Sequence, residues 1–581
     1  VSDTDASQPR IPQLPQLPRL SLPNLTWLGA MGRLASRQAS AELFGAPGYS
    51  WTLSRPRAES FACSPRDFRP TDPAVGRSTA AGRFVIAGSV VDVGSSGDIW
   101  DRPCPSRRFA VDLHRFSWLP NLMAADDRAP REALRLTLAW AEIFGKWNAF
   151  SWSRETLPRR VINLACWGRR IGASSSEADR ARLADLLARQ ARHLARLRGG
   201  ATGAEMACAQ TLAGAALAGN AGHAILNKGL GRLRRTLPRT VLSDGCHASR
   251  SPEAGMELLF DLLSVDDALL QIGREAPPEL GRAIDRLTAG LRTLTLPDGR
   301  LAAFQGGEML TPARVAAARA HDDTGTPAGA DRLTAGGYER LNGQMMHIIL
   351  DAGTPAVGPY SQTACAQPGA LEIVCGRDRL ITNSGWSERA SDRQGFRLTP
   401  AASTLSLGDG SVGDILAGNL ERILGPRLRL PEMNVSVKRD AGEGAILVEV
   451  GHDGWGPAFG LRHERRLYLD QRLDEVRGEE RLTPTGETVT PLAAPYAIRF
   501  HLQPGATASM ARDRRSVILR GESGRGWFFR SDAADVAIEP SACFENGLTR
   551  RTVQIVLRGS VRTDAETRIR WKLEPAGATE T

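Results

Sequence analysis

A chain of 581 residues with 42% hydrophobic content has material for two or more domains, each with its own core. Its formal charge of +10 comes almost wholly from arginine, since lysine occurs only at Lys146, Lys228, Lys438 and Lys572; arginine grips carboxylates bidentately, so an acidic ligand fits, although an arginine- and alanine-rich coding bias explains the excess more simply. Acidic residues are interspersed throughout, no basic arm, zinc-finger or helix-turn-helix spacing is visible, and no apolar run approaches the about eighteen residues of a spanning helix, which argues against nucleic acid and against a transmembrane segment.

In chain order, the opening VSDTDASQPRIPQLPQLPRLSLPNL is polar and proline-rich and lacks a charged region followed by an apolar core. It reads as an extended arm rather than a secretory signal, and with a first helix it takes residues 1–60. Eight cysteines (Cys63, Cys104, Cys166, Cys208, Cys246, Cys365, Cys375 and Cys543) are scattered, with no pair separated by only two residues. That pattern suggests neither a zinc ribbon nor a disulfide framework, so the expected compartment is a reducing cytoplasm, or the periplasm if the chain is a processed precursor.

Phe84–Val93 is short, apolar and β-branched, as a small strand or hairpin would be. From about Phe109 to Leu296 the texture turns helical. Arg131–Gly145, Leu157–Ile171, Ser176–Leu197, Gly203–Leu217, His223–Leu237, Ser251–Ile272 and Pro277–Leu296 each place apolar residues three and four apart. Helices joined by short loops, without a fixed-length repeat, suggest helical hairpins in an α/α array or toroid over residues 61–325. The polar stretch His321–Gly337 then reads as a linker. Beyond it lie strand signals at Gln344–Leu350, Leu371–Val374, Arg379–Thr382, Ala445–Val450, Arg465–Leu469, Ala497–Leu502, Ser516–Leu519, Trp527–Arg530, Val553–Leu557 and Thr567–Leu573. Alternation such as AIRFHL gives one buried and one wet face, so residues 326–581 are expected to form a large antiparallel β-sandwich.

One turn carries the candidate chemistry. In VLSDGCHASRSPEAGMELLF (Val241–Phe260), Ser243-Asp244-Gly245 breaks the chain and His247 sits in a short loop. Ser251 is placed to cap the next helix, with Pro252 in its first turn and Glu253 at its positive end. His247 and Arg250 would stand at the rim of the helical array, unless the segment is simply a capped turn with solvated polar residues. Glu253, Glu257 and Asp261 follow a four-residue rhythm, which ordinarily marks a solvated stripe; a carboxylate pair for glycoside hydrolysis is the less favoured alternative.

This turn resembles the Asp-Gly-Gly-His…Ser-Pro turn of heparinase II/III-like polysaccharide lyases. Further blocks resemble that family in the same order: WDRPCPSRRFAVDLHRFSWL (Trp100–Leu119), LPDGRLAAFQGGE (Leu296–Glu308), GYERLNGQMMHIILDAGTPA (Gly337–Ala356), RDRLITNSG (Arg377–Gly385), STLSLGDG (Ser403–Gly410) and FGLRHERRLYLDQRLDEVRGEERL (Phe459–Leu482). The resemblance implies an N-terminal α/α toroid followed by a large antiparallel β-sandwich. It also implies β-elimination on a uronic-acid-containing polysaccharide, in which a base removes the C5 proton, an acid protonates the leaving oxygen and the carboxylate is neutralised.

The sequence departs from the family at the catalytic positions. Ala254 stands where the family tyrosine is expected, and Gly255 where a histidine is frequent; no tyrosine occurs between Tyr49 and Tyr338. Gln367 and Ala402 replace sandwich histidines, and Ala204-Glu205 falls at the expected Asn-His pair. Two readings follow. In the first, a divergent lyase uses His247 as base or acid and Arg250 to neutralise the uronate, with Asp244, Glu205, Gln305, Asn342, His347 and Gln367 contacting substrate. In the second, an inactive cleft binds an acidic polysaccharide or oligosaccharide in envelope polysaccharide handling. No cofactor is expected. Family relatives can hold a structural divalent metal, but the dispersed His452, His463 and His501 show no ligand spacing for one. Oligomeric state is not legible.

Overall fold

The computed structural model describes residues 24–577 apart from 96, 323–328, 389–392 and 487–491, with side chains from residue 29 onward. Nearly all of the proline-rich arm and the middle of the expected linker lie outside the described residues.

The front half is helical, with a small hairpin pairing Arg83–Ile86 with Ser89–Asp92. Local chemistry sets the ends of its helices. Ser176 and Ser251 accept from the backbone amides of Asp179 at 3.1 Å and Ala254 at 3.3 Å, so each caps the helix that follows. The Gly203–Ala216 helix is buried on every face. It packs against Leu157–Ile171, Glu177–Arg196, Gly219–Thr240 and Pro252–Gln271, and small residues permit this: a methyl added at Gly214 would lie 2.2 Å from the Leu226 amide nitrogen. The Gly219–Thr240 helix runs three residues beyond the end expected from sequence, through Pro238. Its last turn holds because Val241 still donates to the Leu237 carbonyl.

The rear half is two antiparallel sheets. Eight strands pair in the order Val435–Gly442, Ala445–His452, Leu461–Asp470, Glu475–Pro484, Thr567–Pro575, Gly526–Ser531, Ser516–Arg520, Thr507–Met510. The second sheet runs Asp535–Glu545, Leu548–Arg562, Ala493–Leu502, Asp378–Thr382, Leu371–Cys375, Met346–Asp351, Tyr338–Asn342, Arg332–Leu333, with Leu405–Leu407 also pairing on Ala493–Leu502.

This second sheet is the middle layer. Leu371–Cys375 and Asp378–Thr382 are buried at every position, as strands covered on both faces must be. One face contributes Leu341, Ile348, Leu350 and Ile373 to the sandwich core. The other sends Tyr338, Ile349, Ala370 and Val374 into the hydrophobic cluster of the helices. The toroid therefore sits directly on a sheet, and polar residues along that seam must find partners there.

Candidate functional site

The turn after the Gly219–Thr240 helix folds against this seam. Val241 pairs with His247, and Asp244 Oδ1 accepts from the Cys246 amide at 3.1 Å. Gly245 needs its glycine, because φ is +90° and an added methyl would lie 1.9 Å from the Arg286 carbonyl oxygen. Asp244 Oδ2 then accepts from the Gly336 amide at 2.7 Å, which ties the turn to the rear half.

Arg250 goes further. Its Nε donates to the Gly336 carbonyl at 2.6 Å and its Nη1 to those of Gly353 at 3.0 Å and Thr354 at 3.1 Å. Its Nη2 donates to the Gly337 carbonyl at 2.9 Å and to the Asp351 carboxylate. All five donors of the fork are thereby engaged inside the protein. The guanidinium lies 5.0 Å from the Tyr338 ring centroid, and the Tyr338 hydroxyl donates to the Arg250 carbonyl at 2.6 Å. Burial works against its charge, and Asp351 more than offsets that, holding the group above the ordinary arginine range.

Asp351 is the hub that sequence reasoning missed. Its Oδ2 also accepts from Gln305 Nε2 at 2.7 Å and Gln367 Nε2 at 3.4 Å, while Gln305 Oε1 accepts from the Cys365 amide at 3.1 Å. The structure thus brings Asp244, Arg250, Gln305 and Gln367 together along the seam, with no donor of Arg250 left for a ligand carboxylate. Arg250 (φ 64°) and Gln305 (φ 50°) both adopt the left-handed conformation unusual for non-glycine residues, and the surrounding bonds hold them there.

His247 is half-buried beside them. Its Nδ1 faces Ser249 Oγ at 2.7 Å and accepts from the Ser249 amide at 3.1 Å. Burial pushes the imidazole down to about 4, so it is neutral near pH 7 and carries no proton to donate as imidazolium. The crevice lined by His247, Arg250, Gly255, Met256 and Leu287 encloses only about 10 Å³, room for a single water. Ala254 and Gly255 offer no phenol or imidazole. Tyr360 from the rear half, which drew no attention in the sequence, packs edge-on to His247 with ring centroids 5.6 Å apart.

The remaining candidates lie elsewhere. Asn342 and His347 are cross-strand partners, with His347 Nδ1 and Asn342 Oδ1 3.0 Å apart, and Asn342 is further held by Arg340 and Asp331. Glu205 meets Arg159 at 3.3 Å in a charged network of the helices. There, Arg159 and Arg69 both reach Asp261, at 2.9 Å and 2.7 Å, while Arg69 and Arg314 both bond Glu257. Glu253 accepts from the Glu308 amide at 3.0 Å. Glu253 and Asp261 are buried, which overturns the expected solvated stripe: all three carboxylates face toroid arginines or the seam.

His452 and His463 sit in the sandwich interior. His463 Nδ1 is 3.1 Å from His452 Nε2, and its Nε2 is 2.8 Å from Glu480, which also takes Arg465 Nε at 2.8 Å. His501 bonds Ser541 Oγ at 2.7 Å and faces the Pro400 carbonyl. Among the described residues no group of three His, Cys, Asp or Glu side chains is arranged to hold a metal ion.

A helical array seated on a two-sheet sandwich, joined through this turn, defines a heparinase II/III-like protein, and the chain belongs to that family. Residues 325–572 match the description "Heparinase II/III-like, C-terminal". Among relatives, it is 48% identical over 550 residues to FtsZ-localized protein C of Caulobacter vibrioides, covering 93% of this chain and 95% of that protein. Among solved structures it resembles heparinase III, with a TM-score of 0.67 and 14% identity, covering 96% of this chain and 93% of that one. It also resembles a mutant of heparan sulfate lyase HepC from Pedobacter heparinus, with a TM-score of 0.58 and 15% identity, covering 97% and 92%. At such identities the structural likeness establishes the fold alone.

Proposed function

We propose that this chain is a division-site protein that keeps the heparinase II/III-like scaffold without its elimination chemistry, holding an acidic glycan segment and leaving it intact. The observation that carries this reading is Arg250, the residue expected to neutralise a uronate, whose every donor is committed to the seam. Elimination needs a neutralised carboxylate, a base and an acid around one substrate atom. Ala254 supplies no phenol, His247 has no imidazolium proton to give a leaving oxygen, and the crevice beside them holds one water at most. Arg107 and Arg115, partly exposed and paired with Glu155 and Asp112, present positive charge at the surface of the helical array to an anionic sugar chain. Localisation with FtsZ is carried over from the relative's name, supported by identity along nearly the whole chain.

A second reading, a remade lyase pairing Tyr360 with His247, is favoured by their ring contact. One experiment separates the two. Purified chain is incubated with a panel of uronic-acid polysaccharides, following ultraviolet absorbance for unsaturated products and glycan retention by affinity electrophoresis. Retention without new absorbance is expected; absorbance that grows and is abolished by His247→Ala would overturn the non-cleaving reading. A fluorescent fusion should form a band coincident with FtsZ, and a diffuse signal would remove the division-site part.

A further inference from the structure

Four arginines from three stretches of chain converge where the first helix meets both halves of the molecule. Arg33 and Arg37 lie on the Asn24–Gly45 helix, Arg154 in the loop before the Leu157–Ile171 helix, and Arg427 just past the short Asn419–Leu424 helix. Backbone carbonyls fix three of them. Arg37 Nη1 donates to the Ile423 carbonyl, Arg427 Nε to that of Leu424 at 3.1 Å, and Arg154 Nη1 to that of Arg198 at 3.4 Å. Gln362 Nε2 joins from the rear half, donating to the same Leu424 carbonyl at 2.9 Å. Arg37 also borders an open groove along the first helix, shared with Leu34, Gln38, Ala41 and Glu42.

Elsewhere in this chain clustered arginines meet carboxylates, as Arg69, Arg159 and Arg314 do. Here, among the described residues, none of the four makes an ion pair, Glu42 notwithstanding. Their charges are felt mutually. Burial lowers Arg427 from the ordinary arginine range, and the positive charges of Arg33, Arg37 and Arg154 lower it further; Arg154 is lowered by burial and then by Arg37. Arg33, Arg37 and Arg154 are exposed and Arg427 is half-buried, so an anion from solution reaches the group, and the mutual repulsion favours one of high charge.

We propose that Arg33, Arg37, Arg154 and Arg427 form a binding site for a phosphate-class oxyanion. Guanidinium forks match the several acceptor oxygens of a phosphate, and a group of more than one negative charge offsets four cations better than a carboxylate does. Soluble pyrophosphate and a phosphate-bearing lipid headgroup present the same chemistry.

The test follows thermal unfolding of the full chain with millimolar pyrophosphate against sodium chloride of matched ionic strength. It is run beside sedimentation with phosphatidylcholine vesicles with or without phosphatidic acid. The melting temperature should rise with pyrophosphate beyond the salt control, and each Arg→Gln change at 154 or 427 should weaken the apparent affinity about tenfold. Exposed Arg33→Gln repeats the test should the other variants misfold. Pyrophosphate protection without vesicle binding points to a soluble ligand. Sedimentation only with phosphatidic acid, competed by pyrophosphate, points to a lipid headgroup. Pyrophosphate no better than salt together with no vesicle binding, or responses unchanged in all the variants, overturns the proposal.

Discussion

Arg250 was legible in the sequence as a residue of consequence, but its partner was not, because Asp351 lies 101 residues away and local pattern carries no trace of so distant a pairing. The same holds for Gln305 and Gln367, which the sequence offered as substrate contacts and the structure turns onto Asp351. Such a hub has a measurable signature. Replacing Arg250 by Met leaves a fully buried carboxylate facing two amides, and stranding one member of a buried pair costs about 3–5 kcal/mol. Arg250→Lys should recover little, since a single ammonium cannot serve the four carbonyls and the carboxylate that the fork reaches. Urea denaturation followed by circular dichroism reads both variants; a midpoint like that of the parent protein would show that the clamp is ornamental. Gly353 bears on the same point, because a methyl added there would sit 2.7 Å from Arg250 Nη2. Gly353→Ala should therefore lower the midpoint in the same direction.

Elements with strong internal periodicity were readable. The Leu157–Ile171 helix falls on its expected bounds, and Ser251 caps its helix as the Ser-Pro pair suggested. What escaped were elements whose logic is tertiary. Glu475–Pro484 is rich in charge yet is a central strand: Arg477, Glu479 and Arg481 lie on the outer face in cross-strand or neighbouring ion pairs, while Glu480 points inward to Arg465. The Pro252–Gln271 helix misleads in the same way, since its acidic rhythm serves partly buried arginines from three other segments. Asp261→Ala removes the carboxylate shared by Arg69 and Arg159. Two partly buried guanidiniums would then lose a shared partner, Arg69 keeping Glu257 and Arg159 keeping Glu205, a loss on the order of 1–3 kcal/mol. Asp261→Asn should cost less, because the amide oxygen can still accept. Thermal unfolding of the two variants decides the matter: equal, negligible shifts would mean the network is solvated after all.

At the scale of the whole molecule, burial of neutral histidines in both halves sets a response to acid. His114 and His193 in the helices, His247 at the turn and His501 in the sandwich are each pushed by burial from 6.5 down to about 4. His114 shows the structural reason, because its Nδ1 accepts from Trp140 Nε1 at 3.0 Å and a proton there would break that bond. The unfolded chain binds protons at these sites below about pH 6.5 while the folded chain stays neutral until about pH 4, so stability falls across that window as pH drops. For the deeply buried three the loss is roughly 3 kcal/mol each. Glu205, Glu308 and Glu372, raised by burial, act in the opposite sense and blunt the fall. Glu480 takes over lower down: burial pushes it up, but Arg465 and His463 hold it at about 2, so its contribution is lost between its ordinary 4.5 and that value. Urea midpoints measured at pH 7.5, 6 and 5 should therefore decline before most carboxylates titrate. His114→Phe, which removes one of the titrating sites among its aromatic neighbours, should flatten the slope whatever it does to the midpoint at neutral pH. A slope unchanged by that substitution would mean that His114 is already protonated in the fold, or that it titrates alike in both states.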